Sequence, residues 1–181
     1  MSKYLKYLFQ LILSPGHGWE DIETSGISAS RVASAGYYPL IAVTAVSVFV
    51  QSFYHSHEHF LKLFMDMIVT FAVYFVSYFF ATFMLSLFVE PMLSGKYDED
   101  KCHIFSLFSL GLLAVANIIV NCLPVGFAEL FFLPIYVALI QWKGATYMEI
   151  TPEKTGLFMI LAILGILAPP FVFRFLFSLI F

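Results

Sequence analysis

The stretch MIVTFAVYFVSYFFATFMLSLFV, Met67–Val89, runs for twenty-three residues without a charge, a glycine or a proline. A helix that crosses a bilayer needs ~20 mostly apolar residues. A spanning strand would alternate apolar and polar positions, whereas this run is apolar on every side. It therefore reads as a transmembrane helix, beginning as early as Leu61 if Lys62 and Asp66 lie at the interface.

The rest of the chain agrees with that reading. Of 181 residues, 61% are hydrophobic and only 12% charged, against ~45–50% and ~25% in soluble domains. A water-soluble fold of this size leaves too much surface exposed to hide so much apolar area. Twenty-two phenylalanines and ten tyrosines suit lipid contact and interface anchoring. A net charge of −3 specifies no partner, and nothing has the footprint of a nucleic-acid binder.

Four more apolar runs flank the first: Tyr37–Tyr54, Ile104–Leu123, Pro124–Trp142 and Leu157–Phe173. The last runs on towards Phe181 if it passes Arg174, and Pro169-Pro170 is expected to kink or end it. The expected fold is all-α, a polytopic bundle of five transmembrane helices over residues 37–181. An odd number of spans places the termini on opposite sides. With the N-terminus cytoplasmic, Lys3, Lys6, Arg31, Lys96, Lys101, Lys143 and Lys154 lie inside, and only Lys62 and Arg174 lie outside. The positive-inside rule then gives a cytoplasmic N-terminus and an outer C-terminus.

Residues 1–36 do not span. SKYLKYLFQLIL (Ser2–Leu13) is a short amphipathic pattern with Lys3 and Lys6, broken at Ser14-Pro15-Gly16. A signal peptide is the rival reading, but Gln10 interrupts the apolar stretch and no small-x-small cleavage site follows. The expectation is a helix lying in the cytoplasmic interface with its lysines towards headgroups, and then a short piece, GWEDI, with Trp19 anchored there too. Cys102 and Cys122 sit at opposite ends of one span, about 30 Å apart at 1.5 Å per residue, too far to pair within the chain.

The cytoplasmic segments fall in a distinctive order. LSPGHGWEDI (Leu13–Ile22) precedes the first span, LSGKYDEDKCHIFSLFSLG (Leu93–Gly111) joins the second to the third, and YVALIQWKGATYMEITPEKTGLFMILAILGIL (Tyr136–Leu167) carries the fourth into the fifth. Their order and spacing resemble the Yip family (Ypt-interacting proteins), in its bacterial branch. The eukaryotic branch's long N-terminal cytosolic region and its Asp-Leu-x-Gly-Pro motif are not seen in this sequence. The resemblance implies a multi-pass protein of the bacterial cytoplasmic (inner) membrane and supplies no catalytic residues. It suggests a membrane-organising or scaffold role with an unidentified cytoplasmic protein partner.

The same segments also carry ordinary folding signals. Asp98, Glu99 and Asp100 suit the positive end of a helix dipole. Gly144 is expected to cap the fourth span at its C′ position. Thr151-Pro152-Glu153 reads as N-cap, N1 and a first-turn acid.

Caps leave a second set unexplained. Asp66, Asn117, Asn121, Glu129 and Arg174 all fall near the outer ends of spans, with Asn117 and Asn121 on one face at i, i+4. Ionisable groups at membrane depth face the bundle interior or a watery cavity. They either pair, Arg174 with Glu129 and Lys62 with Asp66, or line a polar vestibule. The outer loop HSHEH holds His55, His57 and His59. Those imidazoles with Glu58 or Asp66 would complete a tetrahedral zinc site; the other reading is a solvated loop whose charge responds to pH. Gly-x-Ser-x-Gly, His-Glu-x-x-His, a phosphate loop and a dinucleotide fingerprint are all absent, so no enzyme is expected. Three readings stand: a scaffold, a small transporter or channel subunit that would need a homo-oligomer, and a metal-binding outer loop.

Overall fold

A computed structural model describes residues 1–54, 60–123 and 132–179. Two short helices, α1 (Ser2–Leu13) and α2 (Pro15–Thr24), lead into the bundle. Four long helices follow in the order α3 (Ala29–Phe53), α4 (Phe60–Phe88), α5 (Glu99–Cys122) and, at the chain's end, α7 (Pro152–Ser178). All four are long and apolar enough to cross a membrane, which marks this as an all-helical membrane protein. Between α5 and α7 lies α6 (Phe132–Tyr147). It covers the second half of the expected span Pro124–Trp142, and residues 124–131 fall outside the described ones.

The central helix is α5. Its residues 104 to 114 are buried without interruption, as a helix apolar all round must be. Asp98 is its N-cap, accepting from the amides of Asp100 at 2.9 Å and Lys101 at 3.3 Å. Glu99 and Asp100 occupy its first turn, where carboxylates suit the helix dipole. Around it pack α3, α4, α6 and α7.

Prolines interrupt the regular α-helix without ending the spans. Pro39 would press on the carbonyl of Ala35, and Pro169 and Pro170 on those of Gly165 and Ile166. In each case the chain widens into a single π-helical turn there, at Ala33–Tyr37 and Ile163–Leu167. Hence α7 neither ends at Pro169-Pro170 nor stops at Phe173; it continues past Arg174 to Ser178.

The N-terminal hairpin departs most from the sequence reading. The break at Ser14-Pro15 is where it was expected, but α1 buries Tyr4, Leu8 and Leu11 against protein. Tyr4 donates to the carbonyl of Leu107 at 2.7 Å. That residue is eight positions into α5, about 12 Å below its end at 1.5 Å per residue. Tyr136 of α6 donates back to the carbonyl of Ile12 at 2.5 Å. Trp19 does not sit at the surface. It is 1% exposed, stacks between Phe105 and Tyr147 and donates to the carbonyl of Ile140 at 3.0 Å. Residues 1–36 therefore share one core with the spans.

Gly144 makes room for Trp19. It lies inside α6, not at a cap, and a Cβ there would stand 2.6 Å from Phe105 and 2.9 Å from Trp19. Gly111 likewise admits the Tyr4 hydroxyl. These are close-approach glycines, of the kind that lets membrane helices pack tightly.

Candidate functional site

The two ends of the bundle differ. At one end, here termed the platform, Lys101 at the start of α5 reaches Glu23 of α2 at 3.1 Å and Glu149 of the α6–α7 link at 2.5 Å. Its ammonium also lies 5.6 Å from the Tyr147 ring centre. Glu149 holds a left-handed backbone, φ 55, which costs a non-glycine residue about 1–2 kcal/mol. It is pinned because its carbonyl accepts from both the amide and the hydroxyl of Ser94, at 2.8 and 2.7 Å. A lone antiparallel bridge between Leu93 and Ile150 closes the two links together. Partial burial, then Cys102, Glu99 and Asp98, push the Tyr97 phenol in this loop up to about 12, so it remains a neutral hydroxyl.

At the opposite end the helices part around a cavity of about 230 Å³, room for several waters or a small ligand group. Its polar wall is Gln51, Thr70, Tyr74, Asn117, Asn121 and Arg174. The remaining wall is apolar, with Val73, Leu113 and Phe171 typical of it, and Pro134 and Pro170 at the first turns of α6 and the last segment of α7. From Cys122, the end of α5, down to Leu113 is nine residues, so the cavity reaches about 14 Å into the bundle.

A hydrogen-bond network fixes this wall. Asn121, 2% exposed, donates to Ser47 at 2.8 Å and accepts from Gln51 at 2.8 Å. Asn117 donates to the Tyr74 hydroxyl at 3.4 Å, and that hydroxyl donates to the carbonyl of Leu113 at 3.0 Å. Tyr37 in turn donates to the carbonyl of Tyr74 at 2.8 Å. Polar groups tied to one another in this way hold one geometry. Arg174 makes no ion pair among the described residues and is exposed at the rim.

Of the residues singled out in the sequence, Asn117, Asn121 and Arg174 come together on this cavity. Asp66 does not line it. It is half-buried on α4, one turn before Thr70 and on the same face at i, i+4, which sets it above the mouth. Lys62 is one turn earlier again. Glu129 and the candidate zinc ligands His55, His57 and His59 lie outside the described residues. Among the described residues no three His, Cys, Asp or Glu side chains form a metal-binding set. Both cysteines are free thiols.

Gln51, Tyr74 and Thr70 escaped the sequence reading. Gln51 alone left a trace, an amide inside the apolar run VFVQSF. Tyr74 reads as one more aromatic in a span rich in them, and only the fold shows its hydroxyl meeting α5. Gln141 of α6 was missed as well: it is 0% exposed and its amide finds no partner among the described residues.

Fold and cavity together define a class: a helical membrane protein with a closed, interlocked end and a hollow, polar one. No family model, curated protein or solved structure matches the chain.

Proposed function

We propose that this protein crosses the bacterial cytoplasmic membrane five times, N-terminus inside and C-terminus outside, and acts as a membrane-organising scaffold of the Yip kind. What supports a fifth span is the course of α6. Leu133 and Pro134 line the cavity, while Tyr147 stacks on Trp19 at the platform. Its 16 described residues, about 24 Å at 1.5 Å each, thus join the same two ends as the long helices. The direction follows from charge, with seven cations towards the platform and two, Lys62 and Arg174, towards the cavity. A reporter fused at the C-terminus that read cytoplasmic would overturn it.

The observation that carries the scaffold reading is the platform itself. Three separate segments, α2, the start of α5 and the α6–α7 link, are tied through Lys101 into one surface. That surface displays Glu20, Lys96 and Glu153 to solvent. A surface ordered in advance loses little entropy on binding. The test places a photo-crosslinking residue at each of those three positions in cells. A single soluble protein should be captured, and lost when Trp19→Ala frees the hairpin. Absence of any adduct at all three positions sinks the reading.

The cavity favours a second reading, a small transporter or channel subunit with an outer-facing vestibule, assembled as a homo-oligomer. Solute-dependent flux in proteoliposomes, abolished by Asp66→Asn or Glu129→Gln, is its expected result; no flux under any gradient counts against it.

A further inference from the structure

We infer that the outer cavity binds an anionic amphiphile, with its charged head on Arg174 and the Asn117 and Gln51 amides and its chain leaving past Phe171. This rests on the vestibule reading and names what the vestibule takes.

Charge decides the sign of the ligand. Among the described residues Arg174 is the one charged residue in the wall, and no described carboxylate lines it. At the mouth, Lys62 and Asp66 bring one charge of each sign, so the described groups sum to one positive charge. Arg174 offers five N–H donors with no acid bound to them among the described residues. Asn117 and Gln51 each spend one amide hydrogen within the network, on Tyr74 and Asn121, and each keeps a second for a ligand. A planar guanidinium with flanking amides fits a carboxylate or phosphodiester.

The walls decide the rest of its chemistry. Most of the lining is aliphatic or aromatic, and a small oxyanion taken wholly into it would surrender hydration for a single cation. Phe171 and Arg174 lie on one face of α7 at i, i+3, and both line the cavity and are exposed. The cavity is thus open beside α7, a helix apolar enough to span a membrane, and a spanning helix meets lipid along its length. α7 packs chiefly along α4, while α6 packs on α2, α5 and the start of α7; the cavity lies where these two groups of helices face each other. A ligand that enters sideways keeps its chain in the hydrocarbon while its head reaches the amides.

The test uses the full chain in nanodiscs of phosphatidylcholine doped with phosphatidylglycerol, with retained lipid counted by native mass spectrometry after detergent release. Parallel arms hold phosphatidylcholine alone and detergent-solubilised protein with inorganic phosphate. One phosphatidylglycerol per chain is expected, retained in preference to phosphatidylcholine. Arg174→Gln should weaken retention about tenfold, the worth of one hydrogen bond to a charged group, and Arg174→Lys should keep most of it. Ala116→Trp, which fills the cavity, should abolish retention, and Asn117→Leu should reduce it if the tryptophan variant fails to fold. Arg31→Gln, exposed at the platform end, should change nothing.

Equal retention of both lipids, still lost in Ala116→Trp, overturns the anionic class and leaves the vestibule. Binding of inorganic phosphate without lipid overturns the amphiphile in the same way. Retention unaffected by both Arg174→Gln and Ala116→Trp overturns ligand class and vestibule together.

Discussion

The platform end and the cavity end use the same kinds of residue for opposite purposes. At the platform, glycines remove side chains so that aromatic rings can enter: Gly144 admits Trp19 and Gly111 admits Tyr4. At the cavity, Pro134 and Pro170 form part of the wall, side chains that line a space and are not removed to fill one. At one end Tyr4 donates from the hairpin to a carbonyl of α5, and Tyr136 donates from α6 to a carbonyl of the hairpin; at the other, Tyr74 supports an amide that lines the cavity. The lesson concerns stability and function in one bundle. Rigidity is concentrated where segments must be held together, and space is left where a ligand can enter.

That contrast is broken most directly at Trp19. Its indole is wholly enclosed and hydrogen-bonded, so Trp19→Ala should cost about 3–5 kcal/mol, read as a lowered unfolding temperature in detergent. Asn117→Leu, at the hollow end, should cost under about 1.5 kcal/mol, since it forfeits one long hydrogen bond. Equal shifts for the two would erase the asymmetry.

Next in size is Gly144→Val. Phe105 and Trp19 stand where its β-carbon must go, and overpacking of this kind costs about 1–3 kcal/mol. Were the sequence reading of Gly144 as a helix cap correct, the cost would come from backbone strain instead. The pair Gly144→Ala and Trp19→Ala in one chain separates the two ideas. Relief of the alanine's penalty in the Trp19→Ala background would identify packing, and full additivity would identify the backbone.

Gln141 offers a change of opposite sign. An amide buried without partners carries a penalty of about 1–3 kcal/mol, so Gln141→Leu should raise the unfolding temperature. A fall would mean that the amide bonds a group beyond the described residues.

How much of this was legible in the sequence follows from which interactions are local. Four of the spans were readable because twenty apolar residues in succession have few other fates, and the acids Asp98, Glu99 and Asp100 were readable as a helix start, though only the structure shows Asp98 to be the N-cap. The hairpin's depth was not, since Tyr4 meets Leu107 across 103 positions and Trp19 meets Ile140 across 121. Trp19 in GWEDI carries the same signal whether it faces headgroups or Phe105. The amphipathic pattern of Ser2–Leu13 likewise shows that one face is apolar, but not whether lipid or protein covers it. Half of the polar cavity wall was visible for a physical reason: Asn117, Asn121 and Arg174 are costly in a bilayer and announce themselves. Tyr74 is cheap there and stays silent until its hydroxyl is placed.

The smallest expected effect is at Glu149, where two terms nearly cancel. Glycine at this left-handed position removes about 1–2 kcal/mol of strain, but its looser unfolded chain takes back roughly 0.5–1 kcal/mol. Losing the carboxylate also breaks one partly exposed pair with Lys101, worth about 0–1 kcal/mol. Glu149→Gly should therefore leave stability within about 0.5 kcal/mol of the parent. Glu149→Gln keeps the strain and loses the charge, so it should fall below both. If Glu149→Gln proved as stable as Glu149→Gly, the strain at this position would only match the roughly 0.5–1 kcal/mol that glycine loses through its looser unfolded chain; if both variants also matched the parent, the pair with Lys101 would add nothing measurable.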